Sequence, residues 1–157
     1  MRRYEAVATG GTFDIIHKGH RELLGRAFAI SDAVVIGLTS DEMLAARAAK
    51  RPVHGYEERL ANLEAYITES HPGSPYAIRK LEDDFGPAAL TGAIQALVAS
   101  AETAPRGSRL NEMRASRGLA PVDVVVVPMV AAYDGKRIST SRVRSGEIDT
   151  DGSAVTS

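Results

Sequence analysis

Apolar positions along this chain switch repeatedly between two periods. Short runs rich in small and β-branched residues alternate with longer stretches in which apolar residues recur every three or four positions, the signatures of strand and amphipathic helix. Tyr4 to Thr9, with Ala6, Val7 and Ala8 at its centre, reads as a short buried strand. Leu23, Leu24, Ala27 and Phe28 then repeat at helical spacing and predict a helix that starts between Asp14 and His17. Ala33 to Leu38 is a second strand, bounded by Ser31-Asp32 and Thr39-Ser40-Asp41. A helix between two such runs makes a βαβ unit, with parallel strands and a right-handed crossover. Thr39 and Glu42 are spaced as a capping box for a short helix through Met43 and Leu44.

From Ala45 to Gly55 the periodicity is lost among Arg47, Lys50, Arg51 and Pro52. The segment follows the carboxyl end of a strand, where open α/β sheets bind ligands, so Lys50 fits a solvated loop and a basic clamp over an anion equally well. Arg47 reads as solvated. Tyr56 to Ser70 is a second long helix with Leu60, Leu63 and Ile67 on one face; Arg59 reads as a helix-surface or ion-pair residue, with the site as the lesser option. Tyr76 to Leu81 alternates as a third strand, and the acidic loop Glu82-Asp83-Asp84 after it suits a cap better than a Mg²⁺ site. Ile94 to Ala99 reads as a buried strand leaving through Ser100-Ala101-Glu102-Thr103, Arg109 to Leu119 as a helix, and Val122 to Val127 as the clearest strand of all. Five strands interleaved with helices predict an α/β fold: a Rossmann-like open, mostly parallel five-stranded sheet with helices on both faces. No Gly-x-Gly-x-x-Gly follows the first strand, so the dinucleotide fingerprint is absent.

Composition narrows the function classes. The 157 residues suit one domain, taken as residues 1–149, with 150–157 small, polar and tail-like. With 44% hydrophobic and 25% charged residues the chain is an ordinary globular protein, and a net charge of −1 argues against nucleic acid as partner. The absence of cysteine excludes disulfides, thiolate metal sites and a Cys nucleophile. No signal peptide and no 18-residue apolar stretch is present, which predicts a cytoplasmic protein without a membrane partner. Oligomeric state is not legible, a monomer being one option.

Two stretches carry chemistry. Gly10-Gly11-Thr12-Phe13-Asp14-Ile15-Ile16-His17-Lys18-Gly19-His20 joins the first strand to the first helix. Paired glycines allow close approach and unusual backbone conformations, and a helix start offers free N–H groups and a positive dipole end to an anion. His17 and His20, three apart, share a face. Zinc is the weaker reading of the pair, because a third ligand at helical spacing is missing. Lys18 reads as solvated. The second stretch is Ile138-Ser139-Thr140-Ser141-Arg142-Val143-Arg144, whose hydroxyls either cap a last helix, the commoner role, or bind phosphate together with Arg142.

Gly11-Thr12-Phe13-Asp14-Ile15-Ile16-His17-Lys18-Gly19-His20 resembles the GTFDxxHxGH signature of the nucleotidyltransferase superfamily, which includes cytidylyl- and adenylyltransferases. Ile138-Ser139-Thr140-Ser141-Arg142 is similar to the ISTSR or ISSTR motif that accompanies it. Between the two, Gly37-Leu38-Thr39-Ser40-Asp41-Glu42-Met43, Tyr56-Glu57-Glu58-Arg59, Asp84-Phe85-Gly86-Pro87-Ala88, Asn111-Glu112-Met113-Arg114 and Gly146-Glu147-Ile148-Asp149 resemble the archaeal phosphopantetheine adenylyltransferases. Ser100-Ala101-Glu102-Thr103 follows the same group, with Ala101 where Pro or Glu is expected.

The resemblance implies transfer of the adenylyl group of ATP to 4′-phosphopantetheine, giving dephospho-CoA and pyrophosphate in coenzyme A biosynthesis. It implies Gly10, Gly11, Thr12, Phe13, His17, His20, Ser100, Glu102, Ser139, Thr140, Ser141 and Arg142 as nucleotide-binding residues. Among these Thr12 would meet the attacking phosphate, His17 and His20 the ATP phosphates, and Ser139 to Arg142 the β/γ end. Lys50 would bridge the reacting phosphates, and Mg²⁺ would be held mainly through the ATP phosphates, with no protein metal site. The alternatives are another acceptor on the same fold, as in FMN adenylyltransferase or glycerol-phosphate cytidylyltransferase, and an ATP-binding regulatory module without turnover.

Overall fold

The protein is described by a computed structural model for residues 3–47, 54–82, 86 and 91–155, with the side chains at 47, 140 and 141 left aside. Its elements run β1 (Tyr4–Gly11), α1 (Lys18–Ile30), β2 (Ser31–Thr39), α2 (Asp41–Arg47), α3 (Tyr56–Ser70), β3 (Tyr76–Leu81), β4 (Ala96–Ser100), α4 (Arg106–Ser116), β5 (Asp123–Val127) and α5 (Thr140–Arg144). The strands form one sheet in the order β3-β2-β1-β4-β5, and every pairing is parallel. The α/β Rossmann-like sheet expected from the sequence is therefore the fold.

Successive strand residues face opposite ways, and both sets are covered. Val7, Val34, Ile36, Leu38, Ala96 and Val98 belong to a core with Leu24, Ala27 and Phe28 of α1 and Leu63 and Ile67 of α3. Their neighbours Ala8, Val35 and Leu97 belong to a second core with Ile94, Val122 and Leu110 of α4. Close packing on that face has a specific cost: a Cβ on Gly107 of α4 would lie 2.4 Å from Val124 Cγ2. β5, the clearest strand in the sequence, is an edge strand with Val126 47% exposed.

Several boundaries differ from the sequence expectation. β1 runs on through Gly10 and Gly11, because both pair with β2 at Gly37 and Leu38. β2 starts directly after α1 at Ser31, whose hydroxyl donates to Ala27 O (2.7 Å) and so closes the helix. The cap of α2 is Ser40, whose Oγ accepts from Met43 N (3.1 Å); Thr39 instead ends β2 and donates to Gly11 O (3.1 Å). α2 also extends to Arg47, so the aperiodic segment begins later than expected. β4 is shifted toward Ser100, and α4 starts and ends three residues earlier than the pattern predicted.

The segment from Thr150, expected to be a flexible tail, is tied in through Ala154. Thr150 O accepts from Lys18 N (2.7 Å), Gly152 O accepts from Tyr133 N (2.8 Å), and Ile148 and Ala154 form a β-bridge. Gly152 sits at φ 83° against Ile138, and a Cβ there would lie 2.6 Å from Ile138 Cδ1. Ile138 itself joins Ala132 and Ile148 in a small third core. The carboxyl-terminal region thus closes over the start of α1.

Candidate active site

β1 remains paired with β2 as far as Gly11 and Leu38, but its pairing with β4 ends at Ala8 and Leu97. Beyond that point the Thr9 hydroxyl spans the two strands, donating to Val98 O at 2.8 Å. This is also where the strand order reverses: β2 and β3 lie to one side of β1, β4 and β5 to the other. Open α/β sheets bind ligands at the carboxyl ends of the strands at such a point. The β1–α1 turn approaches it from one side and the exit of β4 from the other.

The glycines of that turn play a different part from the one expected. Neither Gly10 nor Gly11 has a positive φ; among the described residues the non-glycine residue that has one is Phe13, at 47°. A Cβ on Gly10 would lie 3.2 Å from Gly37 O, and one on Gly11 would lie 3.2 Å from the Phe13 ring. They supply room for the strand pairing and for a ring that folds back under the turn. Phe13, expected among the nucleotide-binding residues, is fully buried, and its ring centroid lies 5.0 Å from that of His20. It supports the site from the core side. The Thr12 carbonyl accepts from Arg59 Nη1 (2.9 Å), while its hydroxyl has no partner among the described residues. Asp14 accepts from His54 N (3.0 Å), and His54 Nδ1 lies 3.1 Å from the same oxygen.

His17, the last residue of the predicted interval, is the N-cap of α1 in an extended conformation. Its Nδ1 accepts from Gly19 N (3.1 Å), and His20 Nδ1 accepts in turn from His17 N (3.3 Å), closing a capping box built from two imidazoles. Lys18 N donates to Thr150 O and Arg21 N to His17 O. The helix N–H groups expected to await an anion are therefore taken up by the protein itself. The consequence passes to the rings. An Nδ1 that accepts a hydrogen bond carries no proton, so each neutral ring keeps its proton on Nε2. The rings stack with centroids 3.9 Å apart and planes 20° off parallel.

The electrostatics agree with that assignment. Burial, then the charges of Arg21 and Arg137, pushes His17 down to about 4. Burial, then His17, pushes His20 down to about 3, while the Ile15 carbonyl at the ring works against the shift. Both imidazoles are neutral at pH 7, held so by burial and by the positive charges beside them. Among the described residues, Arg21 and Arg137 bring positive charge close to His17.

Arg137 is one of them, and the sequence reading missed it: it lies one residue ahead of the Ile138 to Arg144 cluster and close enough to His17 to depress its pKa. It pairs with Glu102 from the exit of β4, bringing the two halves of the sheet edge together. Ser100, also expected at this edge, is 3.1 Å from the Thr103 hydroxyl and accepts from Thr103 N (3.3 Å), which shapes the exit turn. Ser139 caps α5 by accepting from Arg142 N (3.3 Å). Thr140 and Ser141 open α5 through their backbone. Arg142 donates to Asp134 Oδ2 (2.6 Å), Glu147 Oε1 (3.3 Å) and the Arg137 carbonyl (3.0 Å). It stands inside an ion-pair network rather than bare beside the histidines. Lys50, Asp83 and Asp84 lie outside the described residues. Among the described residues no group of three or more His, Cys, Asp or Glu is gathered to hold a metal ion.

The sequence profile described as cytidylyltransferase-like matches residues 8–146. The chain is 40% identical over 154 residues to a phosphopantetheine adenylyltransferase of Methanothermobacter thermautotrophicus, covering 98% of this chain and 92% of that protein. It is 38% identical over 149 residues to one of Methanopyrus kandleri, covering 95% and 94%. Among solved structures, a protein of unknown function from Archaeoglobus fulgidus matches with a TM-score of 0.69 and 30% identity over 78% of this chain and 88% of that one. The two motif regions at one sheet edge, joined by a profile match between them, make the chain a member of the cytidylyltransferase-like family of nucleotidyltransferases.

Proposed function

We propose that this protein transfers the adenylyl group of ATP to 4′-phosphopantetheine, releasing pyrophosphate and forming dephospho-CoA. The observation that carries the reading is the two-histidine capping box at the switch point of a chain that matches archaeal phosphopantetheine adenylyltransferases along nearly its whole length. A phosphate oxygen of phosphopantetheine attacks the α-phosphorus of ATP, the bond from that phosphorus to the α,β-bridging oxygen breaks, and pyrophosphate leaves with the bonding electrons. The nucleophile is anionic already, so no general base is needed. Catalysis here means alignment of two polyanions and donors for the charge that builds on the transferring and leaving groups.

The residues divide accordingly. The Thr12 hydroxyl, which has no partner among the described residues, takes the attacking phosphate; the Nε2–H of His17 takes an ATP phosphate oxygen, and His20 joins it by exchanging the Ile15 carbonyl at its ring for a phosphate oxygen. Gly10 and Gly11 serve the site indirectly, by leaving room for the strand pairing and for the Phe13 ring that backs His20. Ser139, Thr140, Ser141 and Arg142 serve the β/γ end, for which Arg142 exchanges its carboxylate partners for phosphate. Lys50 bridges the reacting groups, and Ser100 and Glu102 lie on the nucleoside side. The donor set near the histidines is made of nitrogen and hydroxyl donors rather than clustered carboxylates, which fits a Mg²⁺ held by phosphates and water. When bound, that ion supplies neutralisation of phosphate charge. A reaction that consumes ATP suits the cytoplasm, the compartment expected from the sequence. Among the described residues no helix is long and apolar enough to cross a membrane.

The test is pyrophosphate release by the purified protein with Mg²⁺ and either ATP or CTP, offered phosphopantetheine, FMN or glycerol phosphate in turn. Release with ATP and phosphopantetheine alone is the expected result. Release with a different pair reassigns the acceptor, and ATP binding without release from any pair refutes turnover.

A further inference from the structure

Arg59, on the core face of α3, is a fully buried polar side chain, with 0% of its surface exposed. The sequence reading offered a helix-surface or ion-pair residue, with the site as the lesser option; the guanidinium is ion-paired to Asp41 and lies beneath the sheet edge that carries the site. Nη1 donates to Thr12 O (2.9 Å) and Thr39 O (2.9 Å), Nε to His54 O (3.1 Å), and Nη2 to Asp41 Oδ1 (2.8 Å). Four chain segments meet on one planar group: the β1–α1 turn, the end of β2, the start of α2 and the residue before the Gly55 cap of α3.

We propose that Arg59 is a positioning residue for the transfer reaction, fixing the Thr12–Phe13 backbone so that the Thr12 hydroxyl and the histidine pair hold their places. This inference rests on the adenylyl-transfer reading.

The turn needs such a brace. Phe13 holds a left-handed backbone that a side chain of its size adopts only when its surroundings impose it, and the residue before it is the one Arg59 grips. Phe13 in turn places its ring against that of His20. His54, whose carbonyl accepts from Arg59, reaches Asp14 on the other side of Phe13 with its N–H, so the turn is clasped from both ends. The carbonyl acceptors surround the guanidinium in fixed directions. Lysine supplies the charge but cannot span them from one nitrogen, which is why the exchange is not conservative here. The one carboxylate partner, Asp41, is half exposed and also accepts from Tyr56 N (3.1 Å), anchoring the arrangement to the start of α3.

The experiment compares wild type, Arg59→Lys, Thr12→Ala and the double variant. Turnover is measured per folded molecule, with ATP affinity measured separately. Arg59→Lys is expected to lower kcat by about 10²-fold, the effect of a displacement near 1 Å in a reacting group, with ATP affinity changed less than about threefold. In the Thr12→Ala background most of that loss should vanish, because groups acting through one another are not additive. A loss of equal size in both backgrounds, or kcat unchanged per folded molecule, overturns the proposal. If Arg59→Lys does not fold, Asp41→Asn loosens the same guanidinium from an exposed position; kcat unchanged in that variant overturns the proposal, and a fall with ATP affinity retained supports it. Wild-type turnover with phosphopantetheine decides the adenylyl-transfer reading separately. Should the wild type be inactive, hydrogen exchange still judges Arg59: faster exchange in residues 9–17 than in wild type, with β5 unchanged, upholds the brace, and unchanged exchange rejects it.

Discussion

Lowering the pH from about 7.5 to about 5 tests the neutral histidine pair directly. In the folded protein His17 and His20 stay unprotonated until about 4 and about 3, whereas in the unfolded chain they take up protons near 6.5. The unfolded state therefore binds more protons throughout that interval, and stability falls as pH falls. At pH 5 the unfolded chain gains roughly 2 kcal/mol per histidine and the folded state almost nothing, so the pair costs about 4 kcal/mol of folding stability. The physical cause is local. A proton on Nδ1 displaces the Gly19 N–H from His17, or the His17 N–H from His20, and puts a cation at a positive helix end near Arg21 and Arg137. Asparagine is the informative replacement, since its Oδ1 stands where Nδ1 does and caps helices well. Urea midpoints of wild type and the His17→Asn/His20→Asn variant, measured by circular dichroism at both pH values and constant ionic strength, isolate the pair from the other titrating groups. The double variant should lose far less stability than wild type on acidification. Equal losses in the two proteins would refute the neutral pair.

Other outcomes follow from the same geometry. His20→Ala should reduce kcat by ~10²-fold or more with a modest effect on ATP binding, the size expected for one transition-state donor, and unchanged turnover in a pyrophosphate-release assay would remove His20 from the reaction. Gly11→Ala should destabilise the fold by about 1–3 kcal/mol in urea titration, because a Cβ 3.2 Å from the Phe13 ring forces a buried side chain to shift. Truncation after Asp149 should lower the melting temperature, since it strips the acceptor from Lys18 N and the Asp151 partner from Arg21. A truncated protein as stable as the full chain would mean that the closing segment contributes nothing.

Much of the fold was legible because it is written in local periods. The β-branched runs of β2 and β5 and the three-and-four spacing of α1 and α3 identify themselves without reference to anything distant. The parallel order followed from the alternation, since a helix between two strands returns the chain to the same edge. The candidate site residues were named through the resemblance of two stretches to nucleotidyltransferase motifs, because on the bare pattern hydroxyls at a helix start fit a cap at least as well as a phosphate site. What each residue does there was less legible. Gly10 and Gly11 read as conformational devices until their register opposite Gly37 and the fold-back of Phe13 showed that space is what they provide.

The sequence by itself thus determined the elements, their alternation and the chemical inventory at the sheet edge. The tertiary structure alone decided which donors and charges remain available to a ligand. Thr150 closes the amide of Lys18 from far along the chain, Asp134 and Glu147 flank Arg142, and Glu102 meets Arg137 across two loops. Arg59, on a helix whose apolar stripe is Leu60, Leu63 and Ile67, is buried against carbonyls of distant segments and the Asp41 carboxylate, and Arg114 is buried against carbonyls as well. The physical reason is that periodicity reports which face of an element is apolar, whereas burial and hydrogen bonding of a polar group depend on what the fold brings against it.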